Sequence, residues 1–387
     1  MRILFLTPRP LDQPRSGGTI KSAAVLAHLE RDHEVDVAAF VPSGGGWDRP
    51  GRTAVVELDG RRTVGRLLAS YARRVPISIE RNRSTAMRGL VRRAVAETKY
   101  DAVFVDSWLM AQYVPNGLRG RTLLHQHNAE HVMWRRHADL ERSPLRRVAV
   151  RLEAGRVRRY ESRIVRRFDV VFAVSEPDRD ALLAIGARPP VPLLPNVPAE
   201  GLLERPALEP VQEPVLLTIA TLSWPPNAEG LLRFLRDGFP RLRREVPEAR
   251  LIVGGTGAPA PLLSLAAATP GVELVGEVRE DEPLYARARV FVDAGLGGAG
   301  TRVKLLNAFA RGLPAAGTAN AIEGLEAIPG EHVVILDPGG AAPTPLAQLL
   351  TDDGTWRRLS ERSRELIRVR YRPEVAFATL DEALSRG

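Results

Sequence analysis

The residues best suited to chemistry lie in one segment, Gly295–Gly312, "GLGGAGTRVKLLNAFARG". It follows an apolar run at Val290–Asp293 and leads into a helical pattern expected to begin near Thr301. Gly295, Gly297, Gly298 and Gly300 allow backbone N–H groups to approach an anion closely, because no Cβ intervenes. Arg302 and Lys304 add positive charge to the first helical turn, where the helix dipole already favours an anion. A strand, a glycine-rich turn and a cationic helix start make a seat for phosphate. Lys304 and Asn307, three residues apart, share one face of that helix.

Histidine forms the second cluster. Four of the seven histidines, His125, His127, His131 and His137, fall in one short stretch. "HNAEH" at His127–His131 lacks the His-Glu-x-x-His spacing that sets two metal ligands on one helix face, and no further ligand cluster is apparent, so no metal is expected. His127 closes an expected strand, Thr122–His127, and so points into the mouth of the sheet. His125 shares that strand face but lies deeper, and reads as core. "DRD" at Asp178–Asp180 follows Ser175-Glu176-Pro177, a serine cap with proline in the first turn, and reads as a helix start. Gly17-Gly18, preceded by Ser16, falls in the first strand-to-helix connection. Arg146–Arg167 holds nine arginines together with Glu153 and Glu161. It reads as a solvated helix face, or else as a patch that rests on anionic lipid or recruits an anionic acceptor.

These residues need strands and helices to position them. Arg2–Leu6, Glu34–Phe40, Asp101–Asp106, Thr122–His127 and Asp169–Ser175 are apolar enough for buried strands. Helical stretches fall between them, from Gly18 to about Glu30, at Ile79–Glu97 and at Glu130–Arg167. Eight prolines between Pro189 and Pro214 then mark an extended linker. Strand patterns resume at Val215–Ala220, Arg250–Val253, Val272–Val275, Val290–Asp293, Leu313–Gly317 and His332–Leu336. Asp353–Ser385 is helical apart from Arg372-Pro373. The alternation implies an α/β protein of two Rossmann-like, doubly wound domains facing a cleft, with ligands beyond the carboxyl ends of the strands.

The composition suits that architecture. With 44% hydrophobic and 26% charged residues, the 387-residue chain resembles an ordinary globular protein. Cysteine is absent, which excludes disulfides, thiol catalysis and cysteine-bound metals. Lys21, Lys99 and Lys304 are the only lysines among 55 basic residues, and the formal charge is +9. Acidic residues are interspersed and no aromatic platform adjoins the basic stretches, so nucleic acid is not the expected partner; anionic ligands are. No apolar run approaches the roughly 18 residues of a membrane span. The stretch after Met1 is too short for a signal-peptide core. The expected location is the cytoplasm, with peripheral contact at the inner membrane face through Arg146–Arg167.

Gly295–Gly312, continued by "LPAAGTANAIEGLEAI", resembles the donor-binding region of retaining GT-B glycosyltransferases of the family-4 type. The matching residues are Gly300, Thr301, Arg302, Lys304, Gly312, Pro314, Glu323, Gly324 and Leu325. "HNAEH", "AVSEPD" at Ala173–Asp178, "LPNV" at Leu194–Val197 and "SWPPNAEGL" at Ser223–Leu231 follow family landmarks in order. The resemblance implies an acceptor-binding domain over 1–195, a linker over 196–214 and a nucleotide-sugar domain over 215–370. It also implies a C-terminal helix over 371–387 that returns to the first domain. The donor would be a nucleoside diphosphate sugar, the acceptor an unidentified glycan, lipid-linked molecule or natural product. Transfer would retain the anomeric configuration, with no metal or other cofactor. His127 would contact the transferred sugar and Glu130 would pair with a nearby arginine. Lys304 and Arg302 would hold the diphosphate and Asn307 the ribose. Gly17, Gly18 and Gly298 would permit close backbone approach, with Gly300 and Thr301 completing the donor loop.

Two departures stand out. The family's acidic pair would fall on Ala299 and Asn307, so an uncharged amide replaces the ribose-binding carboxylate. The Arg and Lys of other branches are missing near Ser223–Asn227. A nucleotide-sugar epimerase on the same fold and a non-catalytic GT-B-like partner protein are the alternative readings.

Overall fold

The computed structural model describes residues 1–12, 17–48, 51–61, 63–141, 143–296, 303–337 and 343–385. The chain divides into two compact units, one of Met1–Asn196 with Ala376–Gly387 and the other of Val197–Val375.

The first unit holds six parallel strands: β1 (Arg2–Thr7), β2 (Glu34–Val41), β3 (Thr53–Glu57), β4 (Ala102–Val105), β5 (Arg121–His125) and β6 (Val170–Phe172). They lie in the order β3-β2-β1-β4-β5-β6. Its helices up to Asn196 are α1 (Gly17–Asp32), α2 (Val64–Ala72), α3 (Ile77–Arg81), α4 (Thr85–Glu97), α5 (Glu130–Leu140), α6 (Pro144–Ile164) and α7 (Glu176–Ala184). All four residues of β4, Ala-Val-Phe-Val, are buried, as a parallel strand covered on both faces requires. Leu4, Leu6, Val103, Val105 and Leu124 share a core with Phe40, Met110 and Val157.

The second unit repeats the plan with β7 (Val215–Ile219), β8 (Arg250–Gly254), β9 (Val272–Gly276), β10 (Val290–Asp293), β11 (Ala315–Thr318) and β12 (Val334–Leu336), in the order β12-β11-β10-β7-β8-β9. Its helices are α8 (Pro225–Arg233), α9 (Phe239–Glu245), α10 (Ala260–Ala268), α11 (Glu282–Arg287), α12 (Val303–Ala310), α13 (Ala319–Ile322), α14 (Pro343–Thr351) and α15 (Asp353–Leu366), with α16 (Pro373–Ala376) at the unit boundary. The last helix, α17 (Ala378–Ser385), belongs to the first unit. There Phe377 meets the His28 ring edge-on at 5.3 Å, His28 Nε2 lies 2.8 Å from Asp381, and the Thr379 hydroxyl donates to the Leu193 carbonyl at 2.5 Å.

Several expected boundaries move. The helix expected over Ile79–Glu97 is two, because Ser84 caps α4 by accepting from Met87 N–H at 3.2 Å. Glu130–Arg167 is likewise two, restarted by Pro144 at the first turn of α6. β5 ends at His125, so His127 lies in the following turn rather than closing the strand. β3 was not expected; it is short, partly exposed and at the sheet edge.

Candidate active site

In each sheet the strand order reverses once, between β1 and β4 and between β10 and β7. Loops leaving the carboxyl ends on either side of such a point diverge and open a crevice there. In the first unit, the residues at this point are Thr7, Gly17, Gly18, Asp106, His125 and His127. Gly17 and Gly18 form the first turn of α1 instead of a loop, and Ser16 lies outside the described residues.

Asp106, buried just beyond β4, organises the group. Its Oδ1 is 3.2 Å from His125 Nδ1 and 3.4 Å from His127 Nε2, and its Oδ2 is 3.2 Å from the Thr7 hydroxyl. His127 Nε2 also lies 2.6 Å from the Asp106 carbonyl. A carbonyl only accepts, so Nε2 carries a proton, and in the neutral ring the lone pair is on Nδ1. Nδ1 would lie 3.8 Å from a Cβ at position 18, so the bare Gly18 backbone borders the imidazole. Burial disfavours the Asp106 charge, but the facing His127 and the hydrogen bonds from His125 and His127 outweigh it and hold the carboxyl below its ordinary range. Burial pushes His125 down to about 3, which agrees with its reading as core.

The turn that carries His127 is held by two buried carboxylates. Glu161 accepts from the backbone N–H of Glu130 and His131 at 2.9 and 3.0 Å, and from His131 Nδ1 at 2.6 Å. Asp178 accepts from Ala129 N–H at 2.7 Å and is bonded by the Ser175 hydroxyl. Asp178 therefore serves the helix start, as its reading proposed, and also holds the turn, which that reading did not include. Among the described residues, no arginine pairs with Glu130, contrary to the expectation. It is buried near Glu161, and burial first, then that neighbouring charge, pushes its carboxyl up to about 8.

Lys21, one of the three lysines, has no role assigned from the sequence. It is fully buried on α1, its ammonium donates to the Leu194 and Pro195 carbonyls, and it lies 5.4 Å from the Phe377 ring centre. Desolvation lowers its pKa well below the ordinary value, against the opposing pull of Asp106.

In the second unit the corresponding point holds the loop after β10 and the start of α12. Lys304, in the first turn of α12, lies 2.8 Å from Oδ1 of Asp293, the last residue of β10. The same oxygen accepts from Gly295 N–H at 3.0 Å. Thr318 donates to the Gly295 carbonyl at 2.5 Å and Asn320 to the Leu296 carbonyl at 2.8 Å, so the root of the glycine-rich loop is fixed. Gly230 of α8 is required there, since a Cβ would sit 1.9 Å from the Ala294 carbonyl oxygen. Asn307 is half-buried one turn beyond Lys304, and its Oδ1 accepts from Ala199 N–H at 2.9 Å. Gly298, Gly300, Thr301 and Arg302 lie outside the described residues.

Residues 23–197 match the family described as Glycosyltransferase Family 4, and residues 213–352 match Glycosyl transferases group 1. The chain belongs to the family-4 type of glycosyltransferases. No curated protein matches it. The transferase is similar in structure to a sucrose-phosphate synthase from Thermosynechococcus elongatus, at 15% identity and TM-score 0.70 over 100% of this chain and 98% of the other. HepE from Anabaena, solved with UDP and glucose, matches at 13% identity and TM-score 0.69 over 100% of both chains. A TarM variant from S. aureus, solved with fondaparinux, alpha-GlcNAc-glycerol and UDP, matches at 10% identity and TM-score 0.72 over 99% of both. These likenesses establish the GT-B fold for the transferase. Among the described residues, none of its helices is long and apolar enough to cross a membrane.

The site of this transferase also contains a possible metal-ligand set that the sequence left unassembled. Donor atoms of Asp106, His125 and His127 lie within 4.8 Å of one another. Hydrogen bonds already account for their approach, and Asp106, absent from the histidine motif, is what joins them.

Proposed function

We propose that this enzyme transfers a sugar, with retention at the anomeric carbon, from a uridine diphosphate sugar to an unidentified acceptor, and needs no metal. The observation that carries the reading is Lys304, set in the first turn of α12 directly beyond β10 and oriented by Asp293. When the bond to the anomeric carbon breaks, negative charge grows on the departing diphosphate. A preorganised ammonium and the backbone N–H groups of a helix start stabilise that charge more than they stabilise the intact donor. His127, with Nε2 committed to Asp106, would accept a hydrogen bond at Nδ1 from a hydroxyl of the transferred sugar. Gly17 and Gly18 would let the backbone of α1 approach the same sugar. Asn307 would reach the ribose through its amide nitrogen, since its oxygen is already engaged. Gly298, Gly300, Thr301 and Arg302 would complete the donor loop, and residues 1–195 would bind the acceptor. UDP in the HepE and TarM structures supports uridine as the base. We place the enzyme at the cytoplasmic membrane face, in contact with anionic lipid along Arg146–Arg167.

Titration calorimetry with UDP, with and without chelator, tests the donor and the metal together. Binding should be unchanged by chelator, and its abolition would overturn the metal-free mechanism. Proton NMR of the first product formed from an α-linked donor should show an α-linkage; a β-linkage refutes retention. The epimerase alternative is not favoured by the family matches, and the non-catalytic reading gives way to an enzyme.

A further inference from the structure

Helix α2 presents its apolar face to solvent. Val64, Leu67, Leu68 and Tyr71 recur at i, i+3, i+4 and i+7, which puts them on one side of the helix. Val64 is 73% exposed, Leu68 64% and Tyr71 52%, whereas the buried residue of this helix is Ser70. The start of α6 does the same, with Leu145 86% exposed and Val148 and Leu152 also outward. Seven of the fourteen exposed large apolar side chains among the described residues lie on these two helices. A concentration of that kind marks a contact surface, where singly scattered apolar residues would not. The two helices are tied together by Arg156, whose guanidinium stacks 4.1 Å over the Tyr71 ring and donates to the Ser70 hydroxyl at 3.0 Å.

The charge around these faces selects the partner. Residues 59–80 carry five arginines against Asp59 and Glu80, and residues 139–152 carry four against Asp139 and Glu141. Farther along α6 and just beyond its end, several guanidiniums are occupied by the protein's own backbone. Arg163 donates to Arg74, Arg166 to Ile185 and Arg167 to Val114. A two-fold contact with a second copy would press this net-positive surface against itself. An anionic bilayer instead offers hydrocarbon to the leucines and headgroup charge to the arginines.

We propose that α2 and the N-terminal half of α6 form an apolar foot that inserts into the headgroup layer of an anionic membrane. This rests on the membrane contact proposed above for the basic helix, and adds the element that anchors it. The test is flotation of the full-length protein with vesicles of phosphatidylcholine alone, or of phosphatidylcholine and phosphatidylglycerol in equal parts. Wild type should float with the mixed vesicles and remain behind with the neutral ones. Val64→Ser with Leu68→Ser should cut the bound fraction about tenfold, with melting temperature and donor hydrolysis in solution unchanged, because both side chains already face water. Wild-type-like binding by that double variant overturns the foot. If Arg146→Gln with Arg151→Gln then still abolishes binding, the basic-helix contact survives without it. Failure of wild type to float with mixed vesicles ends both proposals. A dimer in light scattering that the Val64→Ser, Leu68→Ser variant dissolves would assign the face to a second copy.

Discussion

Because Nε2 of His127 is committed to the Asp106 carbonyl, the group this ring can offer a substrate is Nδ1. His127→Ala should lower turnover on the order of a hundredfold or more while UDP affinity stays close to wild type, since the lost contact is to the sugar. Steady-state rates and calorimetry on the folded variant check this, and unchanged turnover would return the residue to structure. Glu130 gives a different test. Its carboxyl is raised to about 8 in the fold, so the native state holds a proton that the unfolded chain has released above its ordinary value near 4.3. Stability from this group is therefore full at low pH, declines as pH rises above about 4.3, and is lost by about 8. Glu130→Gln should flatten that decline and melt above wild type at pH 8, by an amount on the order of a few kcal/mol. A melting series from pH 5 to 9 reads it directly. His127 was legible because its motif surrounds it in the chain. Asp106 was not, since its role comes from the adjacency of β1, β4 and β5, which join residues far apart in sequence. Lys21 stands out in the sequence only as one of three lysines, and its burial comes from the distant Leu194 and Pro195 carbonyls that close over it.

At the scale of one element, α12 carries the donor proposal. Lys304→Ala should weaken UDP binding by about 2–3 kcal/mol and affect uridine little, because a charge-assisted contact to phosphate is removed. Asp293→Asn should weaken UDP less, since it loosens the ammonium without deleting it. Asn307→Ala strips the acceptor from Ala199 N–H and should weaken UDP and uridine alike, but gently. A carboxylate could also accept that N–H, so Asn307→Glu should fold normally. Affinity and melting temperature for the four variants settle these points; wild-type affinity in Lys304→Ala would remove the donor seat. The helix and its strand were legible from one run of glycines, cations and apolar residues. Boundaries were less so where a single residue decides them. Ser84 and Pro144 each split an expected helix in two, Ser84 by a cap hydrogen bond and Pro144 by a ring suited to a first helical turn, and periodicity registers neither. α2 illustrates the opposite difficulty: its spacing is plain, but which side faces the core depends on what packs beneath it.

For the molecule as a whole, two doubly wound sheets follow from the repeated alternation of apolar strands and helices, interrupted by a proline-rich stretch. That a C-terminal helix returns to the first domain is expected from the family resemblance and not from the pattern, and the first unit takes its last elements from residues beyond Val375. Phe377, Thr379 and Asp381 contact His28 and the Leu193 carbonyl, while Arg121 donates to the Ala383 carbonyl. A chain ending at Val375 should therefore keep one calorimetric transition near its original temperature and lose or lower the other, with the damage in the unit that starts at Met1. Loss of both transitions together would show that the units melt as one. The same arrangement sets an order of events at the ribosome. Residues 197–375 are one uninterrupted stretch and can finish folding as they emerge, but the portion synthesised first stays incomplete until Phe377 and α17 have left the exit tunnel. Of the two units, the one made first is thus the later to mature, and in the interval its unfinished surface around His28 and Lys21 is what a nascent-chain chaperone would meet.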